Sequence, residues 1–363
     1  MVSINNEALT DKVLAGERIT PDDALLLYEW PLEELGALAD QRRRLTKRLS
    51  YNCSGNEIVT YIVDRNINYT NVCNVYCKFC AFYRTEKEDD HYVITFEQLD
   101  QKLDELCAAG GVQILMQGGH HPKLGFEWYI DLLHHIREKY PQINIHGFSP
   151  PEFQHFAEVF GMPLREVIAK FKEAGLGSIP GGGGEILVDR VRQRISPLKI
   201  KSDEWLEVMQ VAHELGLKSS ATMMFGHVET IAERVEHLQR IREQQERSGG
   251  FTAFICWTFQ PENTVLKVKH KTSVTEYLRT QALARIFLDN IENIQSSWVT
   301  QGPGIGQVAL KFGANDFGSV MMEENVVSSA GTTFRLDAQQ IEDLIREAGY
   351  EPRRRNNWYQ LLN

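Results

Sequence analysis

The chemistry of this chain is expected to centre on three cysteines within eight residues, half of the six in the whole sequence. Cys73, Cys77 and Cys80 follow a Cys-x3-Cys-x2-Cys spacing, and the aromatic Phe79 stands directly before the third. Three thiolates on one short loop can hold three corners of a cubic iron–sulfur cluster, which leaves the fourth iron open to a small molecule. An open iron predicts catalysis rather than simple electron transfer.

Structural zinc and disulfides, the two other common uses of cysteine, fit the pattern less well. A closed zinc site takes four ligands, often as two Cys-x2-Cys pairs, and the sequence has no second pair. Cys53, Cys107 and Cys256 stand alone. A disulfide framework is disfavoured because the chain is long, uses few cysteines and has no recognisable secretory leader.

Composition indicates a globular protein with a large core. The chain has 363 residues, of which 42% are hydrophobic and 24% charged, near the averages for globular domains. Its net charge of −10 argues against a broad nucleic-acid-binding surface. No apolar run approaches the length of a membrane span, so we expect a cytoplasmic protein with neither nucleic-acid nor membrane partners.

From Glu57 onward, short apolar runs alternate with amphipathic stretches, which predicts repeated βα units around a parallel sheet. Eight such units imply an α/β fold, a (β/α)8 TIM-type barrel that is complete or nearly complete. We expect three parts: an N-terminal helical preface over 1–56, the barrel over 57–335, and a C-terminal helix and tail over 336–363.

The strand predictions decide which loops share the mouth of the barrel, because functional residues in such barrels follow the strands' C-terminal ends. A fourth strand should end just before Gly181, and the others are predicted at 58–63, 112–116, 143–148, 219–225, 251–259, 295–300 and 316–322. The segments expected to converge at the mouth are 66–84, 117–119, 181–185, 226–229 and 258–263.

The cysteine spacing, with its aromatic residue, resembles the radical S-adenosylmethionine (SAM) enzymes. From about residue 15 to the C-terminus, the chain further resembles the cyclic dehypoxanthine futalosine synthase family. The stretches that carry this second resemblance are Cys77–Arg84, Gln117–Pro122, Pro180–Ile200, Thr222–Thr230, Gly250–Thr264 and Ser297–Glu324. Within them, Gly184–Arg192 is the most specific.

The resemblance implies a 4Fe-4S cluster on Cys73, Cys77 and Cys80 whose open iron chelates the amino and carboxylate groups of SAM. Reduction by a one-electron carrier such as flavodoxin or ferredoxin would then yield a 5′-deoxyadenosyl radical. In the futalosine pathway of menaquinone biosynthesis, that radical would remove the ribose C4′ hydrogen of dehypoxanthine futalosine. The resulting carbon radical would add to the benzoate ring, and loss of a proton and an electron would then restore aromaticity and leave a spiro ring.

The resemblance also assigns cofactor contacts. It implies that Gln117, Gly118 and Gly119 approach the methionine amino group through the backbone, although His120 replaces the glutamate that many relatives carry next. Glu185 would accept the ribose hydroxyls, since a carboxylate can accept two hydrogen bonds. The remaining cofactor candidates are Tyr83 beside adenine, and Arg190 and Arg192 as forked partners for a carboxylate.

Substrate contacts are less constrained by the sequence. The benzoate carboxylate needs a cation or hydroxyl groups, for which the candidates are Arg84, Thr258, Asn263 and Arg279. The base that removes the ring proton could be His227 or Glu324, and the sequence does not choose between them.

Two alternative functions remain open from the sequence. One is another radical SAM reaction, of the aminofutalosine synthase or deazaflavin-cofactor synthase type. The other is an iron–sulfur electron-transfer protein, against which the glycine-rich loops and the eight-unit barrel count.

Overall fold

The computed structural model describes residues 2–362, so Met1 and Asn363, the outer limits of the predicted parts, lie outside the described residues. The helices are α1 Val2–Leu14, α2 Pro21–Tyr28, α3 Leu32–Lys47, α4 Phe96–Ala108, α5 Phe126–Lys139, α6 Pro150–Phe160, α7 Leu164–Ala174, α8 Asp189–Ile195, α9 Ser202–Glu214, α10 Ile231–Ser248, α11 Val274–Phe287, α12 Trp298–Gln301, α13 Pro303–Ala309 and α14 Ala338–Glu347. The strands are β1 Ile58–Ile62, β2 Asp64–Asn68, β3 Gln113–Gln117, β4 Asn144–Gly147, β5 Ser178–Ile179, β6 Lys218–Phe225, β7 Phe251–Thr258, β8 Asn293–Gln295, β9 Asp316–Ser319 and β10 Glu351–Arg354.

All ten strands form one parallel sheet in the order β10-β1-β9-β8-β7-β6-β5-β4-β3-β2. The sheet closes because β1, which lies next to β10 in this order, is separated from β2 at the far end only by Val63. The first half of this strand path pairs with β9 and the second half with β3. Eight strand positions therefore surround one interior, which confirms the predicted (β/α)8-type barrel.

Local sequence signals explain where the barrel helices begin and which face they bury. Thr95 and Gln98 form a capping box at the start of α4, and Leu99, Leu103 and Leu106 bury one face of that helix. Such reciprocal caps satisfy backbone donors that the first helical turn leaves unpaired. The 3.6-residue spacing of the leucines places them on the side that packs against the sheet.

The helical preface packs on the outside of the barrel: α2 lies against α10 and α11, and α3 lies along α11. The predicted helices near Pro21 and over Leu32–Thr46 are therefore confirmed. In residues 2–362, no helix combines the length and apolar composition needed to cross a bilayer.

The C-terminal tail joins the barrel, a feature that the sequence did not predict. Strand β10 pairs in parallel with β1, with Ile58 opposite Glu351. Arg355 then forms a forked ion pair with Asp316 of β9, with nitrogen–oxygen distances of 2.6 and 2.9 Å. Asn357 donates to Ser178 Oγ of β5 at 2.9 Å. The tail thereby ties strands on different sides of the barrel together.

Three predicted strands differ from the observed ones, and the eighth does so because it ends at Ser319 instead of residue 322. The first continues to Asn68, five residues beyond its predicted end. The seventh is observed at Asn293–Gln295 instead of 295–300, because the chain turns after Gln295 and enters the short helix α12. The first residue of that helix, Trp298, is 2% exposed and donates its indole N–H to Ser319 O, so burial of the large ring decides the local structure.

Candidate active site

The cysteine loop, residues 69–84, follows β2 and is fastened at both ends. Cys73 N donates to Arg84 O at 3.0 Å, and Arg84 N donates to Asn71 O at 2.7 Å. The middle is held by a bond from Lys78 N to Ile195 O at 2.9 Å. Backbone bonds therefore set the positions from which Cys73, Cys77 and Cys80 project.

The three thiols lie close enough to influence one another. Burial raises the pKa of Cys77 to about 12, and nearby Cys80 and Cys73 act in the same direction. In residues 2–362, no three His, Cys, Asp or Glu side chains converge tightly enough to hold a single metal ion. Three neighbouring thiols on one loop are a donor set that suits three corners of an iron–sulfur cluster. Coordination to iron would counteract the effect of burial on the pKa of these thiols, because a metal ion deprotonates its thiol ligands.

The predicted glycine pair after β3 lies directly against the cysteine loop. A Cβ on Gly119 would stand 2.1 Å from Val72 O and 2.9 Å from the Cys73 Cβ. Gly118 donates its N–H to Glu152 Oε1 at 3.0 Å, and a Cβ there would meet the Tyr69 ring at 2.5 Å. These glycines let β3 and the cysteine loop pack in backbone contact.

Glu185 comes directly after the glycine loop, residues 181–184, which follows β5. Glu185 has a φ of +34°, in the left-handed region that side chains seldom adopt. Its carboxylate is 6% exposed, and Oε1 accepts a hydrogen bond from Lys199 Nζ at 2.9 Å. Burial opposes the charge on Lys199, but the ion pair with Glu185 raises the pKa of the ammonium group. Oε2 of Glu185 is buried with no hydrogen-bond partner, so it is free to accept one from a ligand.

Arg192 supports the glycine loop through its guanidinium group, whose NH1 also lies 4.0 Å from Glu185 Oε2. Its NH1 donates to the carbonyls of Gly183 and Gly184 at 3.1 and 2.9 Å. Its Nε and NH2 donate to Ile200 O at 2.9 and 2.7 Å. All three guanidinium nitrogens therefore serve backbone carbonyls, which makes Arg192 a positioning residue.

A cavity of about 300 Å³ occupies the barrel interior. Three of the predicted site residues line it together: Gln117, Glu185 and Glu324. Apolar side chains such as Leu115 and Trp257 share the walls with polar groups, and the tail contributes at the lower end. Such mixed, concave sites suit organic ligands that carry a few polar groups.

Glu324 and His227, the two candidate bases, have different surroundings. Glu324 accepts backbone N–H groups from Val326, Val327 and Ser328 at 2.9, 2.8 and 2.6 Å. Burial nevertheless raises the pKa of Glu324. The His227 side chain is fully buried, with Nε2 3.0 Å from Met224 O and Nδ1 2.9 Å from Glu229 Oε2. His227 is not among the cavity residues, so only Glu324 is placed to meet a ligand there.

The predicted substrate residues Arg84, Thr258 and Asn263 do not line the cavity. Arg84 pairs with Asp90 and donates to three carbonyls of the cysteine loop, the nearest being Tyr83 O at 2.9 Å. Thr258 Oγ1 accepts hydrogen bonds from the side-chain amides of Gln301 and Gln260. Asn263 is exposed and donates to Ser329 O at 3.0 Å, so it joins two loops.

Three further predictions fall away from the cavity. Arg279 donates to Tyr28 O and Trp30 O, so it fastens the helical preface to α11 instead of reaching a substrate. Arg190 pairs with Glu233 on the outer surface. Tyr83 packs edge-on against Tyr76 with ring centroids 5.7 Å apart, beside the cysteine loop. Whether such a side chain reaches the cavity depends on which face of its helix or loop it occupies. The residue type alone does not show this.

Several residues that line the cavity were not among the predicted site residues. Asp64, Asn66 and Asn68 alternate along β2 and all face it. Polar residues at a two-residue period could have indicated an inward polar face, had the first strand been extended to Asn68. Lys199, which donates to Glu185, could not be predicted as a site residue, because a single lysine in a loop resembles any surface lysine.

Comparison with known proteins identifies the family. Residues 67–241 match the radical SAM superfamily, and residues 248–363 match the CofH/MqnC C-terminal region. The chain is 44% identical to the cyclic dehypoxanthine futalosine synthase of Halalkalibacterium halodurans, over 98% of this chain and 95% of that protein. It belongs to the radical SAM superfamily. Radical SAM enzymes use a 4Fe-4S cluster and SAM, and this chain is one of them.

Other relatives of this radical SAM enzyme are consistent with that assignment. The cyclic dehypoxanthine futalosine synthase of Streptomyces coelicolor is 46% identical over 98% of this chain and 88% of its own. The aminodeoxyfutalosine synthase of Thermus thermophilus is 35% identical over 97% of this chain and 94% of its own. Among solved structures, methylornithine synthase has a TM-score of 0.73 over 95% of this chain and 97% of its own, at 18% identity, which supports the fold alone.

Proposed function

We propose that this enzyme cyclises dehypoxanthine futalosine to cyclic dehypoxanthine futalosine in the futalosine pathway of menaquinone biosynthesis. The observation that carries the proposal is the identity of 44% and 46%, over 98% of the chain, to two proteins of that name. Identity is lower to a 5-amino-6-(D-ribitylamino)uracil–L-tyrosine 4-hydroxyphenyl transferase, at 39%, and to an aminodeoxyfutalosine synthase, at 35%, so both reactions are alternatives that the experiment below must exclude.

We assign the cluster to Cys73, Cys77 and Cys80, with the donor set of three thiols as support. Glu185 is assigned to the ribose of SAM, because its buried Oε2 has no hydrogen-bond partner and a ribose hydroxyl would supply a donor. Gln117, Gly118 and Gly119 would hold the methionine end beside the cysteine loop. When bound, the cluster and SAM supply a 5′-deoxyadenosyl radical that removes the C4′ hydrogen of the substrate.

The substrate is assigned to the barrel interior below the cysteine loop. Leu115, Ile255 and Trp257 give the walls an apolar character that limits the water reaching a radical. Glu324 is assigned as the base that takes the ring proton, because it is the candidate base that lines this cavity. The reductant that we propose is a one-electron carrier such as flavodoxin or ferredoxin. The location that we propose is the cytoplasm, where thiolates and iron are protected from oxidation.

The deciding experiment is anaerobic incubation of the reconstituted enzyme with SAM, dithionite and dehypoxanthine futalosine, followed by mass spectrometry. We expect 5′-deoxyadenosine together with a product two hydrogens lighter than the substrate. Slow formation of 5′-deoxyadenosine without the lighter product would mean that the substrate is wrong. Incorporation of adenosyl carbons into the product would instead favour aminodeoxyfutalosine synthesis, in which the radical adds to its substrate.

A pair of cysteine variants tests the cluster assignment. Cys77→Ala should lose cluster iron and both products while keeping a wild-type circular dichroism spectrum. Cys107→Ala is the control, because this half-buried thiol of α4 contacts Gln142 far from the cysteine loop. Full turnover by Cys77→Ala would refute the assignment.

A further inference from the structure

A stretch of basic residues crosses the rim of the barrel mouth at 264–272, which we call the lysine segment. Its lysines, Lys267, Lys269 and Lys271, are exposed, whereas Leu266 and Val268 turn inward against the core. No aspartate or glutamate occurs between residues 263 and 275. The segment therefore presents a row of positive charge on a chain whose net charge is −10.

The lysine segment is bonded directly to the cysteine loop. Leu266 N donates to Lys78 O at 2.7 Å, and Lys78 is itself exposed between Cys77 and Cys80. The far end reaches Gly226, where a Cβ would stand 1.7 Å from Thr272 Oγ1. The positive charges thus lie on the surface next to the thiols assigned to the cluster.

Few of these charges are neutralised by neighbours. Lys271 pairs with exposed Glu262 at 3.2 Å, and Lys267 donates to Thr264 O at 2.9 Å. Lys269 and Lys78 have no carboxylate partner among the ion pairs of residues 2–362. A partner with carboxylates at matching positions would therefore gain new ion pairs without breaking many existing ones.

The opposite flank of the cysteine loop has the reverse character. It contains the acidic residues Glu86, Glu88, Asp89 and Asp90 together with exposed Lys87, and Glu86 pairs with Lys123 and Asp90 with Arg84. Like charges placed across an interface are unfavourable and exclude wrong orientations. The side of the lysine segment, which has no carboxylate of its own, is therefore the more positive side of the cysteine loop.

We propose that the lysine segment, with Lys78, is the docking surface for a small acidic one-electron carrier protein. The proposal rests on the proposed function only in requiring a reducible cluster at the cysteine loop. One electron would pass from the reduced carrier to the cluster for each SAM cleaved, and the carrier would leave oxidised by one electron. Val265 of the lysine segment is 66% exposed and offers an apolar contact within the same surface.

The test compares two double variants that carry the same change of charge. Lys267→Glu with Lys269→Glu alters the lysine segment. Lys170→Glu with Lys218→Glu is the control, since Lys218 begins β6 at the opposite end of the barrel and Lys170 lies on α7. Both are made in the reconstituted holoenzyme, and reduced flavodoxin is the carrier.

The primary measurement is the bleaching of the cluster's visible absorbance after rapid mixing with reduced flavodoxin. Electrostatic steering changes association rates by about 10- to 1000-fold, so we expect at least roughly a 10-fold slower rate for the lysine-segment variant at low salt. The control variant should match the wild type. With dithionite, a small anion that needs no docking surface, 5′-deoxyadenosine formation should stay within about two-fold of wild type.

A binding measurement supplies a second readout that does not depend on turnover. The lysine-segment variant should bind labelled oxidised flavodoxin more weakly than the wild type does. The affinity of the wild type should itself fall as the salt concentration is raised, because added ions screen the charges. The proposal would be overturned if the lysine-segment variant lost equal activity with flavodoxin and with dithionite, or lost none with either. It would also be overturned if flavodoxin failed to bind or reduce the wild type. Cluster reduction needs no substrate, so an error in the proposed substrate would leave this result unaffected.

Discussion

The proton lost from the substrate ring requires a carboxylate or imidazole that is both reachable and unprotonated. Glu324 lines the cavity, whereas His227 has one ring nitrogen beside a carbonyl and the other beside Glu229. Burial raises the pKa of Glu324 even though three backbone N–H groups act in the opposite direction. A base with a raised pKa is also a stronger proton acceptor, which suits this step.

Glu324→Gln should therefore separate hydrogen abstraction from product formation. Gln keeps an oxygen for the backbone N–H groups but cannot take a proton at neutral pH. We expect cyclic product to form roughly 100-fold more slowly, in line with the loss of a general base, while SAM cleavage continues. The measurement is the ratio of 5′-deoxyadenosine to cyclic product.

The pH profile gives the same residue an independent test. Because the base acts in its unprotonated form, the product rate should fall as pH decreases through the raised pKa of Glu324. That acid limb should disappear in Glu324→Gln. Glu323→Gln is the control, since Glu323 pairs with Arg65 and Lys102 outside the cavity. An unchanged acid limb in Glu324→Gln would assign the proton to another group.

At the scale of elements, packing of β3 against the cysteine loop depends on Gly119. An alanine there would place its Cβ 2.1 Å from Val72 O, and backbone cannot move aside as a flexible side chain can. Overpacking of this kind costs about 1–3 kcal/mol. We expect Gly119→Ala to remain folded but to bind several-fold less cluster iron, because the cysteine loop must shift.

Iron and labile sulfide per chain, measured after reconstitution, check this expectation. Gly304→Ala is the matched control: Gly304 lies in α13, and a Cβ there would meet nothing within 4 Å. Wild-type cluster content in Gly119→Ala would show that the cysteine loop tolerates the shift. Thermal unfolding of the two variants separates loss of cluster from loss of fold.

Element types were more predictable from the sequence than the outcome of individual contacts. The periodic leucines of α4 and the apolar run of β6 were enough to predict both elements, because one face must be buried in each case. Strand seven was wrong because the residues 296–300 favour a strand locally, whereas burial of Trp298 requires a helical turn. Arg279 lies against the helical preface instead of the cavity, and the sequence does not show which face of α11 the preface covers.

At the scale of the whole molecule, the barrel closes through two features that no local pattern predicts. One is the change of partner at Val63, where a single strand path leaves β9 and joins β3. The other is the tail, whose Arg355 reaches Asp316 across 39 residues of sequence. Eight βα units could be counted from the sequence, but long-range pairing of this kind depends on the assembled barrel.

Arg355→Ala should destabilise the whole barrel. The ion pair is nearly inaccessible, with side-chain exposures of 5% for Arg355 and 0% for Asp316. Removing one partner leaves an uncompensated buried charge, which costs about 3–5 kcal/mol. Arg353→Ala is the control, because the Arg353 and Glu351 side chains are 39% and 52% exposed and such pairs contribute less than about 1 kcal/mol.

Urea unfolding of the two variants measures this difference. If the cost comes from the stranded charge, adding Asp316→Asn to Arg355→Ala should recover part of the lost free energy of unfolding, because it removes that charge. Equal stability of Arg355→Ala and Arg353→Ala would mean that the tail is dispensable to the barrel. Loss of stability without recovery would assign the effect instead to the packing of Arg355 on Tyr359, whose ring centroid lies 3.9 Å from the guanidinium carbon.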